Sequence, residues 1–220
     1  MNFNYKNLKK KIPFEIKYHK KKSGVLLSDR FRLDHNLRSI ITAYVLNKYH
    51  NINPYVISDK TTFDKKNFFR FFKIQKLNVN FNNSKTMHFN IYPKIFGNVV
   101  KFYLISLFKK DKVKWLIANY KYDKIHIGDI IYDTYIRYGN KFLNPSIYNL
   151  EFLKQLFIGL YKLSIIKFYS DKFNIKFIIS NQKGYISFGN LLIRYGVKNN
   201  FLTILNGYNF IKYTKIIEKV

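Results

Sequence analysis

Two aspartates four residues apart, Asp129 and Asp133, follow Gly128 in the segment HIGDIIYDTYIRYGN, His126 to Asn140. If that segment is helical, a spacing of four sets both carboxylates on one face near the helix N-terminus, where negative charge is favoured. A carboxylate so placed can accept the proton of an incoming hydroxyl, which makes Asp129 and Asp133 the candidate general bases. Tyr132 and Tyr135 would add hydroxyls and ring faces, and Arg137 a cation for an anionic ligand such as a phosphate. His126 stands two residues before Gly128 and is the one histidine with a functional prospect. A structural reading stays open beside this one. In it Asp129 caps the helix, Tyr132 and Tyr135 are core, and Arg137 pairs with Asp133 at helical spacing. What favours chemistry is scarcity: the chain has 12 Asp plus Glu, and two of them stand here.

A second group, Asn181, Lys183, Tyr185, Gly189 and Arg194, follows the apolar run FIIS, Phe177 to Ser180. Runs of that kind are strands of buried parallel sheets, and ligands bind at the C-terminal ends of such strands. The alternative is an ordinary strand-to-helix connection with Arg194 solvated. Other chemistries are excluded. There is no cysteine, so neither a disulfide nor a thiolate site can form, and His19, His35, His50, His88 and His126 have no metal-ligand spacing. Neither a P-loop nor a G-x-G-x-x-G signature occurs, so no cofactor is assigned to this chain.

The elements that must position these residues alternate. Leu37, Ile40, Ile41, Tyr44, Val45 and Tyr49 recur at spacings of three and four, predicting a helix from Asp34, its N-cap, to Tyr49. PYVIS, from Pro54, predicts a strand, Phe63 to Phe72 a short aromatic helix, and KLNVNF, Lys76 to Phe81, another strand. Beyond Pro93 a helix that is apolar over most of its surface ends at Lys109 and Lys110; such a helix is either buried or lies against lipid. WLIAN, Trp115 to Asn119, and KIHIG, Lys124 to Gly128, read as strand material. The longest helix is predicted from Asn149 to about Phe173, then the strand FIIS, the helix SFGNLLIRYG with Gly196 near its C-terminus, and the strand FLTILNG. The alternation predicts an α/β, Rossmann-like fold with a mainly parallel sheet flanked by helices, over 23–220. Residues 1–22 read as a basic N-terminal arm whose IPFEIKY core is a candidate edge strand.

The segment GDIIYDTYIR, Gly128 to Arg137, resembles one found in a family of bacterial capsule and surface-polysaccharide biosynthesis proteins of the glycosyltransferase-B type. In that family a later stretch similar to ISNQKGYISFGNLLIRYGVKNN, Ile179 to Asn200, follows it, and both stretches occur here in that order. The resemblance extends over Asp34 to Gly207 as a pattern, and these two stretches carry it. It implies the acceptor-side, N-terminal half of a two-domain glycosyltransferase. His126, Gly128, Tyr132, Tyr135, Arg137, Asn181, Lys183, Tyr185 and Arg194 would then bind substrate, and Asp129 or Asp133 would be catalytic. It further implies a nucleotide-sugar donor held only by a second domain, and a glycan or lipid-linked acceptor. The chain stops before such a domain is completed, so a truncated frame, a separate partner or a binding remnant is expected, inactive alone.

The charge supports a rival. Forty Lys plus Arg give a formal net charge of +28, which by itself suggests an anionic partner, and a basic RNA-binding or ribosome-associated protein from an A- and T-rich genome is the alternative. Against it, the basic residues are spread along the chain, Lys greatly outnumbers Arg, and Arg30, Arg32, Arg38, Arg70, Arg137 and Arg194 are scattered. Codon composition accounts for part of the Lys, Asn, Ile, Tyr and Phe content. No apolar block follows the basic N-terminus and no apolar stretch approaches about 20 residues, which predicts a cytoplasmic protein, with an anionic membrane surface as a peripheral partner.

Overall fold

The computed structural model describes residues 16–20, 22–28, 33–58, 69, 72–78, 91–139, 146–180, 188–206 and 211–214. In chain order the elements are β1 (Gly24–Ser28), α1 (Leu33–His50), β2 (Asn53–Ser58), β3 (Gln75–Asn78), α2 (Ile91–Leu107), α3 (Lys112–Asn119), β4 (Lys121–Tyr122), β5 (Ile125–His126), α4 (Gly128–Gly139), α5 (Leu150–Lys172), β6 (Ile175–Ser180), α6 (Phe188–Lys198), β7 (Leu202–Asn206) and β8 (Ile211–Thr214). One sheet has the order β3-β2-β1-β6-β7-β8; its first five strands are parallel and β8 is antiparallel to β7. This is the α/β, Rossmann-like arrangement with a mainly parallel sheet flanked by helices.

Strand period two divides the core. Val25, Leu27, Val56, Ile179 and Ile204 point to the α1 side, where Ile40, Ala43, Phe69 and Phe72 meet them. Leu26, Tyr55, Ile57 and Ile178 point to the other side, into a larger core shared by α2 to α6. Central strands covered on both faces must be apolar at every position, and GVLLS is buried throughout. That run, β1, escaped the sequence reading although it is the centre of the sheet.

Several expected elements shift, each for a local reason. The first helix begins at Leu33, so Asp34 lies inside its first turn instead of capping it. Its buried face is Asn36, Ser39, Ile40, Ala43 and Asn47, while Ile41, Val45 and Tyr49 are exposed. Asn47 draws the face round: its amide donates to the carbonyls of Lys17 at 2.7 Å and Ile52 at 3.0 Å, and its Oδ1 accepts from the Lys17 N–H at 3.0 Å. Asn53 brackets His19 the same way, so residues 16–19 run tethered beside β2 and do not form a strand. Residues 1–15 and 21 of the arm lie outside the described residues, as do most of Phe63 to Phe72 and the end of KLNVNF.

WLIAN is helical, not strand. Asp111 accepts from the Lys114 N–H at 2.9 Å and caps α3, and only Leu116 of its residues is buried, a one-sided pattern a central strand would not show. KIHIG contributes two residues to a hairpin, β4 paired antiparallel with β5. Gly196 lies in the last turn of α6, near its C-terminus as expected. A Cβ there would lie 2.4 Å from the Ile178 side chain and 3.0 Å from Thr203 Oγ1, so it permits close helix-to-sheet approach. Asn200, at φ 55°, takes the left-handed position that ends the helix.

Candidate functional site

The hairpin sets up the first motif. Its two-residue turn places Asp123 at φ 49° and Lys124 at φ 65°, the paired left-handed conformations of a type I′ turn. The Asp123 carboxylate accepts from Lys94 of α2 at 2.9 Å and from Lys167 of α5 at 3.3 Å, which pins the turn between two helices. Burial alone would raise the Asp123 pKa, but these two lysines outweigh it and hold the carboxyl below its ordinary value. The chain then enters α4 at Gly128, pressed against α3. A Cβ on Gly128 would lie 1.8 Å from the Leu116 carbonyl oxygen, so only glycine fits. The Ile127 and Gly128 N–H groups donate to the Tyr120 carbonyl at 3.1 and 3.3 Å.

This entry delivers Asp129, in the first turn of α4, to Arg194 of α6. The Arg194 Nη1 donates to Asp129 Oδ1 at 2.7 Å and to the His126 carbonyl at 2.8 Å, and Nη2 donates to Asp129 Oδ2, a fork-to-carboxylate pair. His126 Nδ1 lies 3.5 Å from Asp129 Oδ1 and 3.3 Å from Nη1. Nη1 has two hydrogens and its two shortest contacts are oxygens, so the ring nitrogen is not its acceptor. His126 Nε2 is buried and has no hydrogen-bond partner among the described residues. For Asp129 the largest influence is again burial, which raises its pKa; the Arg194 hydrogen bonds and charge, with smaller help from His126 and the Ile130 N–H, reverse it and hold the carboxyl low. The two motif stretches, 65 residues apart at Asp129 and Arg194, therefore meet.

No protein-family model matches this chain. Neither does any curated protein or solved structure.

The other expected site residues divide. Asp133 and Arg137 are exposed on α4; Tyr132 is half-buried, its hydroxyl pKa raised first by burial and then by Tyr135 and Asp133. Tyr135 is fully buried, donating to the Ser146 carbonyl at 3.2 Å and accepting from Asn149, whose own Oδ1 caps α5. Gly128 is likewise buried, against Leu116 of α3. The shared face expected of Asp129 and Asp133 gives unequal environments, one carboxylate saturated by arginine and the other open to water. Asn181, Lys183 and Tyr185 lie outside the described residues.

Topology supplies what the sequence reading missed. Strand order runs outward from β1 to β3 on one side and from β6 to β8 on the other, so the direction of winding reverses between β1 and β6. In open parallel sheets ligands bind beyond the C-terminal strand ends at this reversal. Here those ends are Ser28 and Ser180, both buried, with Ser28 Oγ donating to Ser180 Oγ at 3.4 Å. The available signal was that GVLLS and FIIS are two apolar runs that both stop at serine. The second motif stretch leaves the sheet at this point.

Proposed function

We propose that this chain is the acceptor-side, Rossmann-like half of a glycosyltransferase of surface-carbohydrate biosynthesis, serving capsule or lipopolysaccharide. The observation that carries the reading is the meeting of the two resembling stretches through the Asp129–Arg194 pair. The pair joins α4 to α6, so the two stretches that carry the resemblance lie side by side, which supports the reading.

The roles divide by environment. Asp129, held ionised with both oxygens engaged, is a poor proton acceptor and instead fixes the start of α4. Asp133, one turn on and exposed, is the general base: it takes the hydroxyl proton of the acceptor as that oxygen attacks the anomeric carbon and the nucleoside diphosphate leaves with the bonding pair. Half-buried Tyr132 offers the sugar a ring face, and Arg137 a cation for an anionic glycan. The reading assigns the nucleotide-sugar donor to a second domain or a partner.

The test is genetic and chemical together. Deleting the gene in its host should remove or shorten the surface glycan seen by gel profile and sugar analysis. The wild-type chain should restore it, and Asp133→Asn at equal protein level should not. An unchanged glycan in the deletion strain, or full restoration by Asp133→Asn, refutes the reading; salt-dependent RNA binding by the purified chain, together with an unchanged glycan, would put the basic nucleic-acid protein in its place.

A further inference from the structure

We propose that the outer face of α2, with the turn that follows it, is a docking surface for an anionic lipid bilayer. The inner face of α2 is Ile95, Val99, Phe102 and Ser106, all buried in the larger core. Opposite them a surface helix normally carries charged side chains. Here Phe96, Val100, Leu104 and Leu107 follow one another at spacings of four, four and three, and Phe108 ends the row in the turn. They are 66%, 41%, 56%, 59% and 87% exposed. Single exposed apolar residues are ordinary, but five in one unbroken row down a single element form a patch that marks an interaction surface.

Charge identifies the occupant. Between Ile91 and Asn119 the chain has six lysines, Lys94, Lys101, Lys109, Lys110, Lys112 and Lys114, and one acid, Asp111. Asp111 is committed to capping α3. Lys101, Lys109, Lys110 and Lys114 are exposed, Lys101 within α2 and Lys109 and Lys110 directly after Phe108. An apolar strip edged by lysines matches the interface of a bilayer with anionic headgroups: the strip enters the acyl boundary and the cations stay at headgroup level. No described helix is long and apolar enough to cross a membrane, so the contact is in-plane. The proposal stands apart from the transferase reading, because vesicle binding involves neither Asp133 nor a sugar.

The test is flotation of the full chain with phosphatidylcholine vesicles, with and without phosphatidylglycerol. Wild type should float only with phosphatidylglycerol, and less as salt rises. Leu104→Ser with Phe108→Ser should weaken binding roughly tenfold or more, and Lys101→Glu with Lys110→Glu should abolish it, all with unchanged circular dichroism. Phe108→Trp should add a blue-shifted emission on vesicles that Trp115 alone does not give. No binding by wild type, or equal binding by the Leu104/Phe108 variant, overturns the proposal. So does a wild-type dimer in sedimentation that the serine variant dissolves while vesicle binding persists, since the row would then cover a second copy.

Discussion

Replacing Arg194 with methionine keeps an unbranched, helix-compatible stem and removes the guanidinium. Three donated hydrogen bonds go with it, two to Asp129 and one to the His126 carbonyl. The paired side chains are 27% and 30% exposed. A fully exposed ion pair contributes at most about 1 kcal/mol, and breaking a fully buried one costs about 3–5 kcal/mol. Exposure near a third places this pair between them, at about 2 kcal/mol for Arg194→Met. For a chain of this size each kcal/mol moves the melting temperature by about 2–4 °C, so the variant should melt about 4–8 °C lower. A double-mutant cycle with Asp129→Asn isolates the pair, and the coupling should be about 1–2 kcal/mol. The pH dependence has a definite sign. Because the folded Asp129 carboxyl is held below its ordinary value, the unfolded chain takes up the proton first as pH falls. The stabilisation is therefore complete above about pH 4, the pKa of an unfolded aspartate, and is lost as pH falls through the folded value. The melting difference between wild type and Arg194→Met should be flat from neutral pH down to that point and should shrink below it. A coupling within about 0.3 kcal/mol of zero, or a difference that persists unchanged in strong acid, would refute the assignment of this contact as the clamp between α4 and α6.

Gly128→Ala drives a methyl group into the Leu116 carbonyl and should cost more than about 3 kcal/mol, or prevent folding, in thermal denaturation. Gly97→Ala is its control: it lies inside α2 with nothing within 4 Å of the new Cβ, and should raise stability by about 0.5–1 kcal/mol in the same assay. Asn200→Gly should be neutral within a few tenths of a kcal/mol, whereas Asn200→Val, branched at a left-handed residue, should lose about 1–2 kcal/mol in urea unfolding. Asp123→Asn should cost under about 1 kcal/mol, since Lys94 and Lys167 are half exposed, and the loss should fade with added salt.

Much was legible in the chain because local physics decided it. Apolar residues at spacings of three and four mark α1, α2 and α5 whatever they pack against, and a short apolar run with paired β-branched residues, such as FIIS, suits a strand covered on both faces. With helices and strands alternating, short connections and right-handed crossovers leave few arrangements besides a parallel sheet with helices on both sides. Asn149 announces the start of α5 because its side chain acts on its own neighbours.

What the chain alone left undecided depended on partners distant in sequence. WLIAN has the composition of a strand and becomes helix through Asp111 and through the place Leu116 finds under Gly128. Tyr135 could not be assigned to core or ligand until Asn149 and Ser146 closed over it. The unequal fates of Asp129 and Asp133 follow from one guanidinium 65 residues downstream of the first, and no spacing rule within α4 predicts it. The reversal of winding at Ser28 and Ser180 is a property of strand order, which emerges only when β1, missed in the sequence, is threaded between β2 and β6. Sequence periodicity specifies which face of an element is apolar; only the assembled sheet specifies which of those faces is covered, and α2 shows that the two can differ.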